Sequence, residues 1–241
     1  MNESIKRKPV HQRRGRWILP TMLALVLLAF LSVQWARQNR ALSYQPSFQT
    51  PAWEGQAYIP WNENKPFFQE NELTTQAYAS YSELDQYGRC GVATACLSKE
   101  LMPTGERGYI GMIKPAGWHT VKYPEQIEDN YLYNRCHLIA WCLAGENANE
   151  KNLITGTRFM NVQGMLPFEE QVAGYIEKTG HHVMYRVTPI YEDKNLLATG
   201  VLMEAFSVED QGEGICFCVF CYNVQPGIAI DYRTGESHVT E

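Results

Sequence analysis

The sequence predicts an α+β fold: an antiparallel sheet with a helical insertion after the strand bearing Arg135 and His137, preceded by one N-terminal transmembrane helix. Three observations point there. Short alternating or apolar runs recur between turn signals from residue 77 to residue 230. A clear helical period appears at 167–179, just downstream of that strand. Residues 17–36 contain no charge and have the length that spans a hydrocarbon core.

The N-terminal segment sets the topology. Trp17 and Trp35 stand where interfacial aromatics belong, with six cations before the apolar run and two soon after it. The positive-inside rule places residues 1–16 in the cytoplasm as a basic tail and residues beyond 37 outside. No Ala-x-Ala site or lipobox cysteine follows, so an uncleaved signal-anchor in the cell membrane is expected over a cleaved signal peptide. Residues 37–75, rich in Gln, Asn and Pro, read as an extracytoplasmic linker in which Tyr58–Trp61 can dock on the domain. The globular domain is expected over 76–241.

Within it, strands are predicted at 78–81, 91–96, 109–113, 118–123 and 131–140. Residues 157–164 read as a helix. A second helix starts at Pro167, a residue suited to a first helical position, with Glu169 and Glu170 where the helix dipole favours acids. Phe168, Val172, Tyr175 and Ile176 give it an apolar face, and Gly180 ends it. Residues 183–191 and 196–204 form a hairpin, and 214–222 with 228–230 supply the last strands.

The charge balance limits the function. Residues 1–40 carry eight Lys/Arg and one acid, so of the 21 basic and 26 acidic residues 13 and 25 lie beyond, a net of −12. That balance is at odds with binding nucleic acid through a broad basic face; any attraction for phosphate must be local.

One stretch has the parts for such a place. Arg135 and His137, two apart in a strand, share a face. An imidazole can take a proton from water at neutral pH, and a guanidinium can clamp phosphate. Asn161 offers the kind of hard oxygen that suits Mg²⁺, an ion that keeps several waters. Together these are the parts for cutting a phosphodiester with one metal ion.

Asn134-Arg-Cys-His137, with Asn152 fifteen residues after the histidine and Asn161 nine further on, resembles the signature of the DNA/RNA non-specific endonucleases. These ββα-metal (His-Me finger) nucleases include membrane-attached DNA-entry nucleases and secreted streptococcal DNases. The resemblance runs more loosely from Tyr78 to Gly235 and takes in 82–93 and Gly117-Trp-His119. It implies His137 as general base, Asn161 as direct Mg²⁺ ligand (Mn²⁺ substituting), Arg135 on phosphate and Asn152 as a hydrogen-bonding brace. It also implies Glu169, with Glu170 in reserve, as the acid ordering the metal's water, and DNA and RNA as substrates cut to 5′-phosphates. Two residues depart from the pattern: Asn134 replaces an acid and Cys136 a glycine. Strand parity turns both away from the reacting face.

Other candidates have plainer readings. His119, His181 and His182 read as structural or surface residues. Cys216-x-Cys-x-x-Cys221 puts two thiols on one strand face and one on the other, a poor tetrahedral set for zinc. The competing function is a catalytically silent surface DNA-binding protein of the same fold, which the acidic domain disfavours.

Overall fold

The computed structural model describes residues 50–240. Among them no helix is long and apolar enough to cross a membrane; the predicted span at 17–36 lies outside the described residues. The fold is α+β. Six strands form one antiparallel sheet: β1 (Tyr58–Pro60), β2 (Tyr78–Tyr81), β3 (Ala93–Leu97), β6 (Val183–Ile190), β7 (Gly200–Ser207) and β8 (Cys216–Tyr222). Their order is β1-β8-β7-β6-β3-β2. Between β3 and β6 the chain leaves the sheet. It makes a separate antiparallel ribbon of β4 (Tyr133–His137) and β5 (Leu153–Thr157), then the long helix that includes α2 (Leu166–Thr179). A one-turn helix α1 (Trp141–Ala144) lies between the two ribbon strands. A hairpin of β9 (Ile228–Ile230) and β10 (Ser237–Val239) ends the fold.

Period-two patterning explains the layers. In β7 and β8, Val201, Met203, Ala205, Phe217, Val219 and Cys221 enter the core that also holds Val172 and Ile176 of α2 and Cys136 and Ile154 of the ribbon. Their neighbours Leu202, Cys218, Phe220 and Tyr222 face the other side, under Ile59, Trp61 and Phe67. Both faces of these strands are thus buried, which accounts for their near-continuous apolar sequence.

That second face meets the segment expected as a linker, which docks on the domain through Tyr58–Trp61 as the sequence predicts. Its described half is built into the sheet: β1 pairs with β8, Trp61 N donates to the Cys218 carbonyl at 2.8 Å, and Phe67 N donates to Glu204 Oε1 at 2.7 Å. The buried Arg186 guanidinium bridges Glu204 (Nε to Oε2, 2.8 Å) and Glu72 (Nη1 to Oε1, 3.1 Å), fastening the end of the segment.

Two predicted strands are absent. Residues 109–113 and 118–123 run as turns and irregular chain, apart from one bridge between Lys122 and Tyr131. Pro115 and Gly117 (φ +67°) interrupt any ladder, and the carbonyls of Gly111 and Ile113 are taken by Arg135 instead. The two predicted helices are one. Arg158 and Phe159 are already helical, a π-turn covers Met160–Met165, and α2 continues to Thr179, capped by Gly180 at φ +72°. The Leu166 N–H reaches the Asn161 carbonyl, five residues back. Such π-turns are frequent at functional sites.

Candidate active site

The ribbon, the start of the long helix and the irregular chain before β4 surround a cavity of about 750 Å³. Arg135 and His137 enter from β4, Asn161 from the π-turn and Glu169 from α2. Asn152 does not reach it. This fully buried side chain sits behind the ribbon, with Oδ1 accepting from Ile139 N at 2.8 Å and Nδ2 donating to Ile139 O at 2.9 Å. Both ends of its amide are engaged two residues beyond His137.

His137 is buried, and both ring nitrogens have partners. Nε2 lies 2.9 Å from the Asn147 carbonyl, and Nδ1 lies 3.3 Å from Nη2 of Arg107. A carbonyl only accepts and a guanidinium only donates, so the proton sits on Nε2 and the lone pair is on Nδ1. Burial lowers the pKa of His137 below its ordinary value, and the Arg107 charge adds to the shift; the bond to Asn147 works against it.

Arg135 lies with its guanidinium carbon 4.0 Å above the Trp118 ring. Its Nε donates to Ile113 O at 2.5 Å and its Nη2 to Gly111 O at 2.8 Å. Part of the fork therefore holds the irregular chain in place, and only Nη1 makes no hydrogen bond among the described residues.

Glu169 stands on the same stripe of α2 as Val172 and Ile176 and is buried with them. Because the helix already runs from Arg158, this carboxylate is not at a free helix start, and the dipole does not account for it. Burial pushes its pKa up to about 8; Arg107 pulls it down and Glu170 adds to the rise. The Glu169 carboxylate and the Asn161 amide make no hydrogen bond among the described residues, although both line the cavity.

These unsatisfied oxygens fit a cation that keeps most of its own water. Among the described residues no three His, Cys, Asp or Glu side chains stand close enough to hold a metal between them. The residues present therefore fit a divalent cation held by few protein ligands and completed by water.

Sequence reasoning missed several lining residues. Arg107, Lys114 and Arg158 join Arg135, so four cations face the single carboxylate of Glu169. Arg158 pairs with Asp129. Its place three residues before Asn161 was a usable signal; Arg107 and Lys114 lie in irregular chain with no periodic pattern to mark them. Strand parity holds for Cys136, which is turned into the core, but Asn134 borders the cavity beside Arg135. Two-stranded ribbons twist more strongly than wider sheets, which weakens the parity rule for a residue near a strand end.

A family model described as DNA/RNA non-specific endonuclease matches residues 69–209. A curated deoxyribonuclease from Streptococcus dysgalactiae subsp. equisimilis is 34% identical over 122 residues, 47% of this chain. The match spans 36% of that protein's length. Among solved structures, NucA from Streptococcus agalactiae with a magnesium ion bound shares the fold at TM-score 0.67 and 23% identity, over 86% of this chain and 97% of that one. Sda1 nuclease with a bound zinc ion gives TM-score 0.64 and 25% identity, over 77% and 97%.

Proposed function

The chain belongs to the DNA/RNA non-specific endonuclease family, and we propose on that premise that it hydrolyses phosphodiester bonds of DNA and RNA without sequence preference. One observation carries the reading. The unprotonated Nδ1 of His137, which accepts from Arg107, the unpartnered Asn161 amide and the Glu169 carboxylate belong to residues lining one cavity edged by four cations.

His137 is the general base. Neutral at pH 7, it takes a proton from water at Nδ1, while its Nε2–H, donating to Asn147, orients the ring and supports the imidazolium that forms. Arg107 holds that lone pair while the site is free and turns to a phosphate oxygen when substrate arrives; Nη1 of Arg135 is available for a second. Asn161 would hold a Mg²⁺ directly, with Mn²⁺ as a substitute, and Glu169 would fix the position of the waters that complete its shell. A divalent ion held there would supply positive charge to the phosphate and the leaving oxygen. Asn152 acts through Ile139, keeping β4 and its histidine in place. The products are 5′-phosphates. Residues 17–36 tether the domain to the outer face of the cell membrane.

The test is nicking of supercoiled plasmid by the detergent-solubilised chain with Mg²⁺, with EDTA and as His137→Ala. Nicking that requires Mg²⁺ and is lost in the variant is expected. An inactive wild type, or an active His137→Ala, overturns the proposal. For the tether, protease added to intact cells should remove the domain; protection would refute that orientation.

A further inference from the structure

The nuclease reading leaves the aromatic side of the cavity unexplained. Residues 98–132 run from β3 to β4 without a strand or helix, and irregular segments this long in a compact domain are usually functional. Seven large hydrophobic side chains are exposed among the described residues, and three lie here: Tyr109 at 80%, Met112 at 65% and Tyr131 at 44%. Tyr109, Trp118 and Tyr131 all line the cavity that holds His137.

Cations alternate with these rings. Arg135 lies 4.0 Å over Trp118, and Lys122 Nζ lies 4.6 Å over Tyr131. Arg107 and Lys114 flank Tyr109 in sequence and line the same cavity. An exposed ring gains nothing from the core, and on an acidic domain a local run of ring and cation calls for an occupant that is both flat and anionic.

We propose that this wall stacks unpaired nucleobases, so that the site takes single-stranded nucleic acid in preference to duplex. The proposal rests on the nuclease reading and names its substrate class. Stacking platforms beside a basic track are how proteins hold single strands, because every base has a π-face and every linkage a phosphate. A duplex hides its base faces in its own stack. It can meet Arg107 and Lys114 but has nothing to lay on the exposed rings of Tyr109 and Tyr131. Trp118, partly buried and held under Arg135, is the fixed floor of the wall.

The test is fluorescence anisotropy with the detergent-solubilised full chain in EDTA at physiological salt. The probes are labelled oligo(dT), oligo(rU) and a duplex of equal length, each about a dozen nucleotides. Single strands are expected to bind at least about tenfold tighter than duplex. Oligo(dT) and oligo(rU) separate the DNA and RNA sources of the same chemistry. Tyr109→Ala and Tyr131→Ala should each reduce the single-strand-to-duplex affinity ratio about tenfold, while Tyr109→Phe and Tyr131→Phe keep it. Equal binding of the duplex by the wild type, or an unchanged ratio in both alanine variants, overturns the proposal. Because binding is read without cleavage, failure of plasmid nicking removes the nuclease reading alone. Cleavage with no strand preference removes this one alone.

Discussion

Nη2 of Arg107 donates to Nδ1 of His137 across 3.3 Å, so a fixed positive charge lies on the lone pair that the proposed mechanism uses to collect a proton. Burial and this charge both lower the histidine's pKa from 6.5. As the proposed base, His137 works only when neutral, so the acid limb of kcat/KM against pH is expected below pH 6.5 in the wild type. Arg107→Ala removes one lowering cause. Its limb should move up toward the ordinary histidine value while the plateau rate falls, by about tenfold or more for a lost charge-assisted contact. An unmoved limb in the pH–rate profile would show that Arg107 does not act on the base.

Glu169 gives a stability prediction with a defined sign. Its folded pKa, pushed up to about 8, lies above its ordinary value of 4.5. Between those values the folded chain holds the extra proton, so metal-free protein loses stability as pH rises through that window, by at most about 1.4 kcal/mol per pH unit. Glu169→Gln has no carboxylate to ionise. Its urea midpoint in EDTA should fall less from pH 5 to pH 8, while Mg²⁺-supported nicking drops about a hundredfold. Parallel stability curves for the two proteins would contradict the burial account.

Asn152→Ala leaves the Ile139 N–H and carbonyl, deep in the fold, without partners. Each unsatisfied group costs about 1–3 kcal/mol, so a loss of about 2–4 kcal/mol in urea unfolding is expected, with activity falling as β4 loosens. Full activity at unchanged stability would mean that the amide is dispensable.

Cys136 and Gly156 form a matched pair. A Cβ on Gly156 would stand 2.4 Å from Cys136 Sγ and 2.5 Å from Met160 Cε. Gly156→Ala should therefore destabilise by about 1–3 kcal/mol. Adding Cys136→Gly should recover part of that, a non-additivity that a double-mutant cycle measures. Purely additive losses would show that the two side chains do not compete for one space.

Much of this was legible in the chain, and the exceptions share a cause. β6, β7 and β8 could be read because apolar runs between turns mark buried strands, and α2 because Pro167 and Gly180 bracket an apolar stripe. The spacing of His137, Asn152 and Asn161 picked out three residues held by one ribbon and helix. Residues 109–113 and 118–123 misled because aromatic and β-branched density mimics a strand. Their rings serve the cavity, and the carbonyls of Gly111 and Ile113 serve Arg135. Arg107 left no trace because its partner lies 30 positions away and neither residue sits in a shared period. A helix beginning at Pro167 would make Glu169 a dipole residue; the π-turn before it removes that explanation.

The Arg186 bridge between Glu72 and Glu204 also decides what proteolysis does to this protein. A cut before Thr50 would free an intact domain, with β1, Trp61 and Phe67 still covering Phe220 and Tyr222. A cut in the exposed turn at 62–65 would split the cover, parting β1 and Trp61 from Phe67 and the Glu72–Arg186 pair. Placement of the cut therefore separates release of the domain with its cover whole from release with the cover divided.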